Sequence, residues 1–375
     1  MKLALFFTKD MSLVGWDRAG ILNREITLYQ RLVSKGHDIS FITYGNIEDL
    51  IYIDQLGDIK ILCNKWGLPK YIYNKYIHII HRKHLKSCDI IKTNQIFGAD
   101  IALKSAKYYK KPIAVRLGYL PSDGYKIEFG VKSQKYKDSI ISEKSIFKDS
   151  QMVITTTDRI SSIIAKYDVD IHKINVIPNF VNCDLFKNNS IDEKEYDIIY
   201  IGRIAQEKNI NNLLEAIKKS NLRTLIIGNG PLKKDLMNSF EKKGNQIKWI
   251  DKVPNDEIPK YMNKSKLFVL PSLYEGHSKV LIEAMSCAMT VIASNVQGNN
   301  EIINHGENGF LCEPSVLSIK ETIFDVLKMS EKKMNLININ ARRFVKDNYS
   351  LDKIVTMEMQ LYKDIMNENN SVNLA

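Results

Sequence analysis

The sequence predicts an α/β protein built from two Rossmann-like, doubly wound domains. Three observations predict it. The chain has 375 residues, more than twice the ~150 of a typical domain. Short β-branched apolar runs alternate with helical patterns, the signature of βα units and parallel sheets. The alternation comes as two similar series, separated by a polar, turn-rich stretch over residues 178–195 that reads as a linker. With 44% hydrophobic and 26% charged residues, the chain buries enough apolar surface to offset its ordering entropy, which excludes a disordered protein. No window approaches ~18 uncharged apolar residues, so no membrane span is expected. The five cysteines are odd in number and far apart, with no CxxC pair. They read as reduced cytosolic thiols and exclude a disulfide scaffold.

In the first series, residues 2–8 read as a strand, because this apolar run is too short for a signal-peptide core and leads into Lys9-Asp10. A helix follows over 23–35, with Ile26, Leu28, Leu32 and Val33 at helical spacing and Gly36 closing it. Strands are expected at 37–43, 89–93, 112–117, 151–155 and 173–177, and helices at 99–109 and 158–167. The second series places strands at 197–201, 224–227, 247–250, 267–270 and 291–293. Its helices fall at 211–219, 278–289 and 301–305. A last helix, capped by Ser350, carries Ile354, Met357, Leu361 and Ile365 on one stripe. The expected domains are 1–182, 183–349, and a C-terminal helix, 350–375, that packs back toward the first.

Charge is unevenly placed. Residues 1–180 hold 28 Lys+Arg against 18 Asp+Glu, nearly the whole net charge of +11. Between Lys60 and Lys148 there are 19 basic and 6 acidic residues. Such a field suits an anionic acceptor or an anionic membrane surface; with no recognised nucleic-acid motif beside it, no nucleic-acid partner is expected. Residues 70–86 mix Tyr71, Tyr73 and Tyr76 with Arg82, Lys83 and Lys86, and read as a basic amphipathic helix.

The densest chemical signal is Ser272-Leu-Tyr-Glu-Gly-His-Ser-Lys-Val-Leu-Ile-Glu-Ala-Met285. It follows a buried strand and opens a helix at Ser278, so the N–H groups of Lys279, Val280 and Leu281 lack partners within the helix. Together with the positive helix end they suit a diphosphate. Gly276 lets a ligand approach the backbone, and Glu275 and Glu283 flank the phosphate position, one toward a sugar and the other toward a ribose. Two further strand ends add Gly202-Arg203 with Lys208, which supply cations, and Gly228-Asn-Gly230-Pro, a turn with room for a base or ribose. Each alone reads as an ordinary surface turn. Three in order, each at a strand's C-terminal end, read as a nucleotide site.

These motifs resemble the retaining glycosyltransferases of family 4, of the bacterial surface-polysaccharide type. Glu275 and Glu283 match the family's Glu-x7-Glu pair, and Gly202, Arg203 and Lys208 its Gly-Arg…Lys. Its Pro-Asn-Gly-Val-Asp signature appears as Pro178-Asn-Phe-Val-Asn182, with two changes. Gly298-Asn-Asn-Glu301 and Gly306-Glu-Asn-Gly309 match further stretches. The resemblance implies a GT-B fold, two Rossmann-like domains about a central cleft. It implies transfer of a hexose-type sugar from a nucleotide-sugar donor (a UDP-sugar before a GDP-sugar) to a cell-surface glycan or lipid-linked precursor. No cofactor and no metal are implied. Arg203, Lys208 and Glu275 are the expected catalytic residues. Gly20, Gly202, Gly228, Gly230, Val253, Gly276, His277, Ser278, Lys279, Val280 and Glu283 are expected to bind the donor. Of Gly15 and Gly20 in the loop after strand one, Gly20 is preferred because it immediately precedes a helix. Where many members carry a His after a middle strand, this chain has Arg116-Leu-Gly-Tyr119, and Arg116 is a candidate for an anionic acceptor. Arg82, Lys83 and Lys86 are candidates for acceptor or membrane contact. The expected location is the cytoplasm, peripheral on the inner face of the plasma membrane. The alternatives are a nucleotide-sugar 2-epimerase of the same fold, for which no acid–base carboxylate and His set is found, and a sugar-nucleotide-binding protein without turnover.

Three groups invite a different reading. Asp168-Val-Asp170 looks like a metal motif but lies in a polar turn. His78, His81 and His84, with Cys88, sit in a basic segment without carboxylates. Cys287, on the motif helix, reads as a small buried residue.

Overall fold

The computed structural model describes residues 1–189, 194–240 and 246–374. It forms two compact units, Met1–Pro178 with Val355–Ala375, and Asn179–Ile354. Unit 1 holds strands β1 (Lys2–Phe6), β2 (Asp38–Asn46), β3 (Lys60–Asn64), β4 (Ile90–Thr93), β5 (Ile113–Leu117), β6 (Met152–Thr155) and β7 (Ile174–Val176). They form a parallel sheet in the order β3-β2-β1-β4-β5-β6-β7, with Leu3 paired to Ile39 on one side and Ile90 on the other. Residues Leu3–Phe6 are all buried, as a strand covered on both faces requires. Because β1 lies between β2 and β4, the strand order reverses there, which opens a crevice at the carboxyl ends of β1 and β4.

The loop after β1 carries a short helix, Leu13–Arg18, started by Ser12, whose Oγ accepts the Gly15 N–H at 2.9 Å. Buried Asp49 accepts from the Val14 N–H at 3.1 Å and the Thr43 hydroxyl at 2.5 Å, which ties this helix to the end of β2. Phe7 stacks on Trp16 with ring centroids 3.9 Å apart.

The C-terminal helix, Leu351–Leu374, brings Glu358 into unit 1. Its Oε1 and Oε2 accept from Lys92 Nζ of β4 at 2.6 and 2.5 Å, with both side chains fully buried. The Tyr362 hydroxyl donates to the same carboxylate, and the rings of Tyr29 and Tyr362 lie 5.6 and 5.7 Å from the ammonium. Burial pushes the Glu358 carboxyl up, but Lys92 and Arg116 together overcome this and hold it below its ordinary range. Ile354, Leu361 and Ile365 are buried as the stripe predicted, Met357 is only half-buried, and Val355 and Tyr362 complete the face.

Unit 2 holds β8 (Tyr196–Ile201), β9 (Thr224–Ile227), β10 (Ile247–Ile250), β11 (Ser265–Leu270), β12 (Thr290–Ser294) and β13 (Phe310–Cys312), in the parallel order β10-β9-β8-β11-β12-β13. Here the order reverses between β8 and β11. The core is the apolar run of each central strand, Ile198–Tyr200 and Leu267–Leu270, packed by Leu213, Leu214, Leu281, Ile282 and Met285.

Three expectations need correction. Residues 301–305 are not helical: the Ile302 and Ile303 N–H groups both bond Asn299 O, and Asn308 Oδ1 takes the Asn304 N–H, which folds the stretch into turns. The basic segment 70–86 is two helices, Lys70–Ile80 and Arg82–Ser87, broken at His81 (φ −101°, ψ 25°). Burial pushes the His81 imidazole down to about 4, and its Nε2 lies 2.8 Å from the Tyr73 hydroxyl. Strands β3 and β13 were not read from the sequence, nor were several helices, among them Leu13–Arg18, Pro121–Phe129, Gln134–Asp149, Lys233–Phe240, Val316–Leu327 and Glu331–Tyr349.

Candidate functional site

In unit 2 the chain leaves β11 at Pro271 and enters the helix Lys279–Ser286 after eight residues. Glu275 lies in this loop. Its Oε1 accepts from Lys208 Nζ and from Ser272 Oγ, each at 2.7 Å, and its side chain is nearly buried. Lys208 comes from the 3₁₀ turn Gln206–Lys208 after β8, and the Leu273 N–H bonds Glu207 O at 2.8 Å. The loops after β8 and β11 are therefore stitched by backbone and side chain. The structure thus brings together Lys208 and Glu275, two of the three residues expected to be catalytic. Arg203, the third, is exposed on the same loop as Lys208, and its carbonyl accepts from the Tyr200 hydroxyl at 2.9 Å.

The glycines have a steric reason. A Cβ on Gly228 (φ +154°) would sit 1.8 Å from Gly202 O, one on Gly230 2.2 Å from Ile204 O, and one on Gly298 (φ +91°) 1.8 Å from Gly276 O. The tips of β8 and β9 are clasped backbone to backbone, as are the loops after β11 and β12. Only residues without a side chain permit this. Beside Gly230 a cavity of about 550 Å³ is lined by Asn229, Pro231, Lys233, Trp249 and Asp251.

Ser278 stands at the N-cap position of the helix with no side-chain bond to it. Lys279 and Val280 open the first turn, both half-buried. One turn on, Glu283 is buried, and its Oε1 accepts from Asn255 Nδ2 at 3.0 Å. Val253, two residues before Asn255, is buried as well. Neither glutamate of the pair is therefore a solvated surface carboxylate.

Sequence reasoning missed Asn255, and it gave no side-chain role to Asn179. Buried Asn179 donates from Nδ2 to His277 O at 2.7 Å, between Gly276 and the helix start. Next to it the Val181 N–H bonds Tyr349 O at 2.9 Å and the Leu351 N–H bonds Val181 O at 3.0 Å. The Tyr349 ring meets the buried His277 imidazole edge-on at 4.6 Å. The segments by which the chain enters and leaves unit 2 thus hold the motif loop. The only signal in the sequence was that Asn179 belongs to the Pro-Asn signature.

The remaining candidates lie in unit 1. Gly20 (φ +72°) turns the chain between the helices Leu13–Arg18 and Leu22–Ser34, whereas Gly15 lies inside the first of them. Arg116, on β5, is buried and its charge acts on Glu358 and Tyr29, which places it with the Lys92 cluster. Arg82, Lys83 and Lys86 are exposed. Asp168 has φ +57°, and Asp170 Oδ1 accepts the His172 N–H at 3.0 Å, so this pair builds a turn. Cys287 is buried, and burial drives its thiol far above the ordinary range. Among the described residues no helix is long and apolar enough to cross a membrane.

Residues 183–343 match the family model described as glycosyl transferases group 1. The chain is 29% identical over 218 residues to the UDP-Gal:alpha-D-GlcNAc-diphosphoundecaprenol alpha-1,3-galactosyltransferase of Escherichia coli, covering 53% of this chain and 56% of that protein. It is 23% identical over 398 aligned positions to the N-acetyl-alpha-D-glucosaminyl L-malate synthase of Bacillus anthracis, covering 98% and 99% of the two. Against two of its curated relatives the chain spans just over half of their own length. Among solved structures it resembles the sucrose-phosphate synthase (tll1590) from Thermosynechococcus elongatus, with a TM-score of 0.80 and 17% identity over 98% of this chain and 100% of that one. Residues 183–343 therefore carry a group 1 glycosyl transferase domain, in a chain with the GT-B fold.

Proposed function

We propose that the protein is a retaining, metal-independent glycosyltransferase. It would move a hexose-type sugar from a nucleoside diphosphate sugar, a UDP-sugar before a GDP-sugar, to a cell-surface glycan or its lipid-linked precursor. The observation that carries this reading is the cluster of Lys208, Glu275 and Ser272 at the carboxyl ends of β8 and β11, just ahead of the helix Lys279–Ser286. The name of one relative, which states a UDP-galactose donor and a lipid-diphosphate acceptor, supports the substrate classes.

Each part then has a chemical task. As the donor's glycosidic bond breaks, negative charge grows on the leaving diphosphate. The first-turn N–H groups of the helix, the positive helix end, Arg203 and Lys208 neutralise it. The ammonium of Lys208 has three donors, so it can hold Glu275 and a phosphate oxygen together. Glu275, fixed by Lys208 and Ser272, accepts from sugar hydroxyls and supports the oxocarbenium-like centre. The acceptor oxygen attacks the anomeric carbon from the face the diphosphate leaves, and a phosphate oxygen takes its proton. Glu283, held in place by Asn255, meets a ribose hydroxyl of the donor.

Proton NMR of the product from an α-linked donor tests the reading. An α product, formed at an unchanged rate in EDTA, supports it; a β product or loss of activity in EDTA overturns it. Calorimetry divides the glutamates. Glu283→Ala should weaken UDP binding, and Glu275→Ala should leave it nearly intact while lowering the rate.

The same reading places the enzyme on the cytoplasmic face of an anionic membrane. Exposed Trp66, Tyr71, Tyr76 and Ile79 lie in sequence beside Lys65, Lys75, Arg82, Lys83 and Lys86. A groove of about 670 Å³ in the same unit is lined by Lys104, Lys107, Lys110 and Lys111. Each such charge near an anionic surface is worth ~1 kcal/mol, and salt weakens it. Vesicle sedimentation should show binding at low salt that is lost at high salt or on neutralising Arg82, Lys83 and Lys86. A chain left in the supernatant with anionic vesicles at low salt sinks the placement.

A further inference from the structure

Unit 1 has a second notable surface, in the loop and helix that follow β5. Tyr119, Ile127, Phe129 and Val131 expose 49%, 58%, 41% and 51% of their surface within thirteen residues. Lysines 126, 132 and 135, all exposed, are interleaved with them, and Lys135 Nζ lies 4.0 Å from the Phe129 ring centroid. Glu128 is the exposed carboxylate of the stretch, since Asp123 is paired with Arg159 at 2.9 Å.

This is a built edge. Buried Glu143 accepts the Ser122 N–H at 2.7 Å, the Ser122 hydroxyl at 2.8 Å and the Tyr167 hydroxyl at 3.1 Å, which anchors the start of the helix Pro121–Phe129. The Gly118 N–H bonds Gln95 Oε1 at 2.9 Å, and Thr156 Oγ1 donates to Gly118 O at 3.4 Å, so the tips of β4, β5 and β6 are tied together. On those tips Phe97 and Tyr119, both exposed, face each other with centroids 6.3 Å apart. A second ring pair, Tyr125 and Phe129 at 6.1 Å, continues along the helix. Phe97 follows β4, one of the two strands bordering the crevice where doubly wound sheets bind ligands.

Apolar side chains held out to water by a fixed scaffold mark a binding surface, and lysines among them select an anionic head with an apolar tail. We propose that this edge binds an anionic lipid phosphate, as the carrier of the sugar acceptor. The chain of the lipid lies along Ile127, Phe129 and Val131, the phosphate meets Lys126, Lys132 and Lys135, and the glycan extends over Tyr119 and Phe97 toward the crevice. The proposal rests on the glycosyltransferase reading only in naming the ligand an acceptor.

Farnesyl phosphate binding to the full chain, followed by calorimetry, tests it, with UDP binding measured in parallel. Farnesyl phosphate should bind, and the Ile127→Ser/Phe129→Ser/Val131→Ser variant should lose at least tenfold in affinity while UDP affinity stays unchanged. Lys126→Gln with Lys132→Gln should cost several-fold. Inorganic phosphate and the uncharged dodecyl maltoside should each bind at least tenfold more weakly than farnesyl phosphate. Equal binding by the triple variant overturns the proposal, as does equal affinity for either control. Loss of vesicle sedimentation in the triple variant with farnesyl phosphate binding retained also overturns it, and reassigns the edge to membrane insertion. Failure of the glycosyltransferase reading would appear separately, as absent UDP binding in the wild type.

Discussion

Unit 1 and unit 2 share one plan, a parallel sheet whose strand order reverses once, yet they are held differently. In unit 2 the strand tips meet backbone to backbone, at distances that leave no room for a Cβ at Gly228, Gly230 or Gly298. In unit 1 side chains share the joining, Gln95 to Gly118 and Asp49 to Val14, beside backbone bonds such as Lys9 N–H to Phe97 O at 3.0 Å. Unit 1 also holds a fully buried ion pair and most of the exposed large apolar residues, together with most of the net charge. Backbone contact at a glycine admits no larger residue, whereas a contact made through a side chain tolerates more exchange.

The largest expected effect tests the ion pair of unit 1. Lys92→Met leaves Glu358 charged and buried, and should cost about 3–5 kcal/mol in denaturant unfolding. The double variant Lys92→Met/Glu358→Leu should recover most of this; equal loss in both would show that the pair is not the cause. Because the folded carboxyl lies below its ordinary range, its contribution is present above pH ~4.3, the unfolded value, and is lost as pH falls through the folded one. Glu358→Gln should flatten that acid limb.

Next is the chemistry of unit 2. Arg203→Ala and Lys208→Ala should each remove on the order of 2–4 kcal/mol of transition-state stabilisation, measured as kcat/KM, with fold stability little changed. Wild-type turnover in either would break the assignment.

Smaller again is the glycine contrast. Gly228→Ala should destabilise by about 1–3 kcal/mol, through backbone collision and a strained φ. Gly124→Ala has open space at its Cβ and lies within a helix of unit 1, so it should be neutral or stabilise by up to ~1 kcal/mol. Equal effects in thermal melts would erase the distinction between clasped and open tips.

The smallest tests the link from the chain crossing to the motif loop. Asn179→Ala removes one hydrogen bond to His277 O and should cost about 1–3 kcal/mol. Part should appear as weaker UDP binding. Unchanged binding would make Asn179 purely structural.

Unit 2 was the more legible half. Strands β9 and β10 fall at the residues expected, because short apolar runs bounded by Gly and polar turns carry their own limits. Lys208 and Glu275 were both named, since each sits at a strand end in a recognisable motif. Asn255 was not, because its bond to Glu283 joins separate elements and leaves no periodicity. In unit 1 the sequence around Lys92, Ile-Ile-Lys-Thr, reads as a strand with a charge at one position. Nothing local says that its partner stands 266 residues away. The helix Pro121–Phe129 has apolar residues on its exposed end, so the amphipathic pattern that reveals helices is missing there.

That separation has a consequence for how the protein is made. A ribosome delivers Lys92 long before Glu358, and an unpaired ammonium opposes closure of the sheet around it. The whole of Asn179–Ile354 emerges in the interval, with entry and exit segments paired at Val181 and Tyr349, and folds as its own unit during synthesis. The half of the protein that is born first is therefore finished last, and a transcript truncated before codon 358 would yield a folded second unit attached to an open first one.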